Sequence, residues 1–491
     1  MAHTDLRPLI ASIRPALNGQ GPLYELLANA IRDIIVRGEW LPATCLPSER
    51  ALAKHLQLSR TTVVLAYTNL RQSGHIESRH GSGTWVRRIG KSNWPSPQEQ
   101  TVSSTFRRNV VFRSLLERTG DHVGFVAAHL APLSCVEEAA REVAKQNLQD
   151  LIGRDGYFPM GLPALRQEVA NHLSRQGLPT RENEILITSG AQQGISLLTS
   201  LLVARGETVI TEDPTYIGAI DVFSAMGARV VAVPGAALTL DLDHLRTLLA
   251  TRPRLLYIVP TYHNPTGGCL PDQSRREIAC LCEELQVPVV EDLTLAGTGL
   301  EAESPPPIAS YTKNAPILTM GSFSKLFWAG LRVGFLRGPE ALITRIGRWK
   351  ALADLGSPLY SQAIAVRLVA EWRTAEKMRR RELNPKLECL EKLLRTHLPG
   401  WTWKRPKGGL LLWVCMDHGD ASELSLLAAR QGVTIVPGSG NSPDHHFSNY
   451  IRFPFVADPQ SMEEGISRLA LAVNEYIPKP VTSQNSFDVI V

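Results

Sequence analysis

The sequence predicts two folded parts of different class: a small, mainly α-helical head with a β-wing, and a large α/β body on a mostly parallel sheet. Three observations predict this. The first is where the charge lies. The 491-residue chain carries a net charge of +5, yet residues 1–88 hold 11 Lys+Arg against 6 Asp+Glu while the remainder holds 41 of each. The excess positive charge is therefore confined to the head, the footprint of a nucleic-acid-binding module on a neutral body. The second is a helix–turn–helix pattern followed by a glycine-tipped hairpin near the N-terminus. The third is alternation of short β-branched runs with helical patterns over the following 350 or so residues, the signature of an α/β sheet. A chain this long also exceeds one ordinary core.

In the head, Leu23, Leu26, Leu27, Ala30, Ile31, Ile34 and Ile35 recur at helical spacing, and Gly38 stops the run. Pro47-Ser48 opens a second helix with Ser48 as N-cap. Ser59 caps a third over Arg60 to Gln72, with the short turn Gln57-Leu58 between them. Gly74-His75-Ile76-Glu77 and Gly81-Ser82-Gly83-Thr84-Trp85-Val86 read as a hairpin, completing a winged helix. We expect the boundaries 1–20 for an N-terminal tail, 21–88 for the winged helix, 89–118 for a flexible linker rich in Ser, Pro, Gln and Thr, 119–477 for the body and 478–491 for a C-terminal tail. A coil of about 30 residues spans about 30 Å on average.

In the body, strand-like runs are Glu184–Thr188, Thr208–Thr211, Arg229–Val233, Leu255–Val259, Val287–Glu291, Ile317–Met320 and Val333–Leu336. Candidate site residues cluster where these runs end, which is where α/β sheets bind ligands. Gly321-Ser322-Phe323-Ser324-Lys325 runs on to Gly330-Leu331-Arg332. A lysine beside two hydroxyls and a guanidinium suits a Schiff base with a phosphorylated aldehyde, and pyridoxal phosphate (PLP) is the obvious candidate. Ser322, Ser324 and Arg332 would hold its phosphate. The amides of Ser189, Gly190, Ala191 and Gln192, where a strand runs into a helix, would add donors and the helix dipole. Asn264, in Asn264-Pro265-Thr266-Gly267-Gly268, suits a ring oxygen. Asp292, 28 residues on, suits the ring nitrogen, and Lys325 follows 33 residues later. Tyr216 is placed to stack on the ring. Each feature alone reads as a turn, a cap or a solvated side chain; the order and the strand-end placement are what point to one site.

With these residues in view, the body resembles the fold-type I, aspartate-aminotransferase-like PLP enzymes, which have large and small subdomains. The head, through Leu46-Pro47-Ser48-Glu49-Arg50, Ser59-Arg60-Thr61-Thr62-Val63 and Gly81-Ser82-Gly83-Thr84, resembles the GntR winged helix. Together, in this order, they resemble the MocR subfamily of bacterial regulators over residues 21–475. The resemblance implies that Tyr157 reaches a neighbouring subunit's cofactor phosphate, that the protein is a homodimer, and that Arg452 clamps an effector's α-carboxylate. It also implies that Arg50 reaches DNA and that His80 and Gly81 at the wing tip approach the minor groove. Thr294 stands where the family usually has a tyrosine bonding the phenolic oxygen of PLP, which puts the tuning of the internal aldimine and efficient turnover in question.

The DNA-facing residues follow from the third helix. Its N-terminal residues Arg60 and Thr61 are placed for base edges in the major groove of double-stranded DNA, and Ser59 and Thr62 for phosphates. The leading expectation is a PLP-dependent regulator that senses an amino compound through an aldimine at Lys325. The alternatives are an active aminotransferase with a DNA-binding head, or a body that only dimerises. Seven scattered cysteines argue against a disulfide framework or a metal site, and the absence of an apolar signal core or a long apolar span argues for the cytoplasm and no membrane.

Overall fold

The computed structural model describes residues 13, 17, 22–36, 40, 44–79, 83–87, 123–146, 156–235 and 240–476. Contacts divide the chain into two units, Met1–Pro97 and Gln98–Val491. His80, Gly81, the expected linker, the expected C-terminal tail and, apart from Ile13 and Leu17, the expected N-terminal tail lie outside the described residues.

The head packs α1 (Leu23–Val36), β1 (Cys45–Leu46), α2 (Glu49–Leu56), α3 (Arg60–Gln72), β2 (Ile76–Arg79) and β3 (Gly83–Val86). The apolar face of α1, with Leu27, Ile31 and Ile34, meets Leu52, Val63, Tyr67 and Leu70 in one core. Ser48 accepts from the Ala51 amide and Ser59 from the Thr62 amide, so each helix begins on a side-chain cap. Gln57 ends α2 in the left-handed region (φ 58°), which turns the chain at once into α3. β2 and β3 form the antiparallel wing, and β1 adds a third strand beside β3.

The body opens with β4 (Val123–Gly124), α4 (Ser134–Ala144) and α5 (Pro163–Arg175). There follow β5 (Ile185–Thr188), α6 (Ala191–Leu202), β6 (Thr208–Asp213), α7 (Ile217–Ala225), β7 (Arg229–Pro234), α8 (Leu242–Ala250), β8 (Leu255–Ile258), α9 (Asp272–Leu285), β9 (Val289–Asp292), β10 (Ile317–Ser322) and β11 (Gly334–Arg337). β5 to β11 are the seven expected strands, in one sheet of order β5-β11-β10-β9-β8-β6-β7. β6 to β10 run parallel, and β11 is antiparallel to both neighbours, β10 and β5. Strands β5, β8, β9 and β10 are buried along their whole length, as expected for a sheet covered on both faces by helices. One core lies on each face, one around Ile187, Ile258 and Phe335, the other around Leu186, Tyr257 and Leu336.

The small subdomain follows α10 (Glu340–Asp354) and α11 (Leu359–Ala370). It contains much of the long α12 (Trp372–His397), β12 (Thr402–Trp403), β13 (Leu411–Cys415), α13 (Ala421–Arg430), β14 (Val433–Thr434), β15 (Val436–Pro437), β16 (Tyr450–Pro454) and α14 (Pro459–Glu475). Its sheet has the order β12-β13-β16-β15, and β14 pairs with β4, so the start of the body is woven into its end. Leu383, Leu387, Leu390, Phe453 and Leu469 fill its core.

Candidate functional site

Tyr216, Asn264, Asp292 and Lys325 follow or end β6, β8, β9 and β10 at their carboxyl ends. Asp292 is the last residue of β9, and Lys325 lies three residues beyond β10. The Lys325 amine donates to the Ala128 carbonyl at 2.7 Å. Burial, then the Arg452 and Arg332 guanidiniums, push that amine down to about 8, while Asp292 pulls the other way. An amine so shifted is partly neutral near pH 7 and therefore nucleophilic. Arg452 is itself buried, its Nη2 on the Val126 carbonyl, and burial pushes it down to about 10. The chain just after β4 thus supplies carbonyls to both cations.

Asp292 accepts from the Thr294 amide at 2.8 Å and from the Tyr257 hydroxyl at 2.6 Å. Burial pushes its carboxyl up, and these donors oppose the shift. Tyr216 precedes α7 and bonds Gln192 Oε1 at 3.0 Å. Gly218 lets its ring lie close, since a Cβ there would fall 2.5 Å from the Tyr216 ring.

The residues expected to cradle an anion lie at the start of α6. Gly190 has φ 114°, and a Cβ on it would fall 3.1 Å from Arg332 Nη2, so the bare backbone is what lets the guanidinium approach. Arg332 donates to the Ser189 carbonyl at 2.6 Å. The first-turn amides of α6, from Ala191 on, lack helical acceptors and point out of its N-terminus. The Ser189 amide is not free for this purpose: it donates to Gln193 Oε1 at 2.8 Å. Ser322 Oγ accepts from the Ser324 amide at 3.1 Å.

Several buried polar atoms here have no protein partner: Asn264 Oδ1, Ser324 Oγ and Arg452 Nε. Buried polar groups are ordinarily hydrogen-bonded. An unpartnered hydroxyl on Ser324 and an unpartnered guanidinium N–H on Arg452, near a nucleophilic lysine and a buried carboxylate, fit the contacts expected with the phosphate of PLP and with an effector carboxylate, while Asn264 could meet the ring oxygen only as a donor, through its Nδ2.

Tyr157 stands apart from this cluster. It is 68% exposed and makes no part of the site within one chain.

In the head, Arg50, Arg60 and Thr61 are exposed. Thr62 corrects the expectation of a phosphate contact. It is buried, and its hydroxyl meets Ser59 Oγ at 2.7 Å, so both side chains serve the helix cap.

Three features escaped sequence reasoning. Tyr257 sits in an apolar strand and reads as core. Arg379 belongs to an arginine run that reads as a solvated helix face. It is buried instead, and donates to the carbonyls of Leu326 and Ala131 at 2.7 Å and of Phe327 at 2.8 Å. It therefore ties the loop after Lys325 to the segment that supplies Ala128. His446 Nδ1 lies 2.6 Å from Asp213 Oδ2, and Asn441 Nδ2 donates to the Thr215 carbonyl at 2.8 Å. These contacts fasten the loop before β16, which carries Arg452, to the loop that carries Tyr216. No sequence signal marks contacts between positions more than 200 residues apart.

Residues 126–469 match the aminotransferase class I and II family, and residues 23–86 match the bacterial regulatory proteins of the gntR family. The chain is 31% identical over 477 residues to the uncharacterized HTH-type transcriptional regulator YdfD of Bacillus subtilis, covering 92% of this chain and 97% of that one. The chain belongs to the MocR subfamily of GntR-type regulators. It is also 26% identical to the probable rhizopine catabolism regulatory protein MocR of Rhizobium meliloti, over 92% of this chain and 94% of that one. Among solved structures it is similar to the α-aminoadipate aminotransferase LysN of Thermus thermophilus, crystallised with N-(5'-phosphopyridoxyl)-L-leucine. The TM-score is 0.67 and the identity 28%, over 76% of this chain and 97% of that one. This regulator therefore joins a GntR DNA-binding head to a PLP-binding body of fold type I. Among the described residues, no helix is long and apolar enough to cross a membrane and no His, Cys, Asp or Glu cluster could hold a metal ion.

Proposed function

We propose that the body holds PLP on Lys325 and detects an amino compound there, and that its occupancy sets how a homodimer grips operator DNA in the cytoplasm. The observation that carries this is the amine of Lys325, just after β10, held on the Ala128 carbonyl, with Asp292 ending the neighbouring β9 and Arg332 and Arg452 nearby, a setting that lowers the amine to about 8. When bound, PLP supplies an electrophilic carbon for amines and a ring that accepts charge. Asp292 would accept the ring N–H, and Asn264 would donate to the ring oxygen through its Nδ2. Tyr216 would stack on the ring, with Thr294 beside Asp292 where a tyrosine is usual. Gly190, Ala191, Gln192, Ser322, Ser324 and Arg332 would hold the phosphate, with Ser189 lending its carbonyl to Arg332. Arg452 takes an effector carboxylate bidentately. The Ala128 carbonyl would hold the Lys325 amine whenever that amine is not bonded to the cofactor. In the head, Arg60 and Thr61 read base edges, and Arg50 and the wing tip steady the duplex.

Dimerisation is supported by an exposed apolar patch. Trp349, Leu352, Leu355 and Tyr360 are 42%, 81%, 58% and 45% exposed around the turn from α10 to α11. Exposed apolar groups gathered in this way mark interaction surfaces. Gly356 in that turn packs on the backbone of Phe158, next to Tyr157, where a Cβ would fall 3.1 Å from the Phe158 carbonyl oxygen. The patch thus runs up to the residue expected to cross to a partner.

Borohydride reduction and peptide mapping test the site. PLP fixed on Lys325, and lost in Lys325→Ala, supports it; fixation on another lysine contradicts it. Light scattering at micromolar concentration tests the dimer, and a PLP-bound monomer contradicts it.

A further inference from the structure

Both oxygens of Asp292 are hydrogen-bonded by the protein, and the two donors differ in kind. Oδ1 takes the Thr294 amide two residues along its own chain. Oδ2 takes a side-chain hydroxyl from the neighbouring strand: Tyr257, on β8 beside β9. Tyr257 is fully buried, and its ring meets Phe223 edge-on with centroids 5.8 Å apart. A strand residue with no polar task would be served as well by phenylalanine, because the ring alone fills this packing. The hydroxyl is the part that faces the carboxylate.

We propose that Tyr257 is a positioning residue of the PLP site, whose hydroxyl orients Asp292 and keeps it ionised to receive the ring N–H. Burial disfavours a charged Asp292, and the nearby Glu212 carboxylate acts in the same direction. A protonated Asp292 would have no full charge to offer a ring N–H. The 2.6 Å contact is in the range of charge-assisted O–H···O⁻ bonds, which stabilise the ionised form. Burial and the Asp292 charge hold Tyr257 itself far above the ordinary phenol range, so it stays a donor. Two donors on different oxygens also fix the rotation of the carboxyl group.

This rests on the reading that Asp292 faces the ring nitrogen, and the test separates the two. Apo-protein is titrated with PLP and with its 1-deaza analogue, in which C–H replaces the ring nitrogen, for wild type, Tyr257→Phe, Asp292→Asn and the double variant. If wild type does not prefer PLP over the analogue, the Asp292 reading itself fails. If it does, Tyr257→Phe should weaken PLP roughly tenfold to a hundredfold, the scale of a hydrogen bond to a charged group. It should change affinity for the analogue by less than about twofold, because no ring N–H is there to feel the carboxylate. Should Tyr257→Phe not fold alone, the Asp292→Asn background removes the unpaired charge, and Tyr257→Phe should again move PLP affinity by less than about twofold. Equal losses for both cofactors, or an undiminished loss in the Asp292→Asn background, would overturn the proposal and leave Tyr257 as core packing.

Discussion

Head and body solve their polar problems on opposite scales. In the head, capping hydroxyls serve amides three residues away, Ser48 to Ala51 and Ser59 to Thr62, while Arg60 and Thr61 are left exposed. In the body, Lys325 meets Ala128 across 197 positions, and Arg379 meets Ala131 across 248. The head adds to its caps contacts such as Tyr67 to the Pro47 carbonyl across 20 positions, and it presents exposed side chains to a large external ligand. The body buries its reactive groups between distant segments and leaves atoms of Asn264, Ser324 and Arg452 short of protein partners. A surface that reads a polymer needs exposed donors on a rigid frame. A site that holds a cofactor needs desolvated groups whose charges are set by one another.

The comparison makes its largest prediction in the body. Capture of PLP by apo-protein should follow the neutral fraction of Lys325, which burial and two arginines push down to about 8. The capture rate should climb about tenfold per pH unit below 8 and flatten above it, where a solvated lysine would keep climbing toward its ordinary value near 10.4. Stopped-flow absorbance measures this. A rate still rising steeply from pH 8.5 to 10 would place Lys325 in a solvated setting and erase the contrast with the head. Next in size, Arg332→Ala removes the guanidinium at the Gly190 cradle and should weaken PLP by roughly tenfold to a hundredfold without changing DNA binding by the apo-protein. Equilibrium dialysis and an operator-binding assay together would sharpen the division of labour.

In the head, Arg60→Ala should cost about 1–3 kcal/mol on the specific operator and relax preference at one base pair. Equal losses on specific and random DNA would reduce Arg60 to a phosphate contact. The smallest effect belongs to the cap: Ser59→Ala should lower the head's unfolding free energy by about 1 kcal/mol, since it frees the Thr62 amide and leaves the buried Thr62 hydroxyl without its partner. Denaturant unfolding that is unchanged would show the cap to be dispensable.

The same contrast of scale explains what was legible in the sequence. Caps, turns and strand periodicity are local, so Ser48, Ser59, Gln57 and all seven strands of the large sheet could be read directly, as could the strand-end order of Asn264, Asp292 and Lys325. The antiparallel direction of β11 could not, because a four-residue apolar run carries no sign of direction. The short strands β12, β14 and β15 lack a pattern long enough to show. Tyr257 and Arg379 were hidden for the same reason in opposite guises, one as core and one as surface. Thr62 was misread because Ser-Arg-Thr-Thr does not say which threonine turns inward; helical geometry around the Ser59 cap decides it.

The central proposal is that the buried site of the body speaks to the exposed one of the head, and operator affinity tests it most directly. It should be measured for the PLP-loaded protein with and without a panel of amino acids and amines, in wild type and in Lys325→Ala. Coupling between two sites is typically worth about 1–3 kcal/mol, so at least one amine should shift wild-type operator affinity by roughly fivefold or more. Lys325→Ala should fold, bind the operator and show little of that shift. An amine response that survives undiminished in Lys325→Ala would contradict the account.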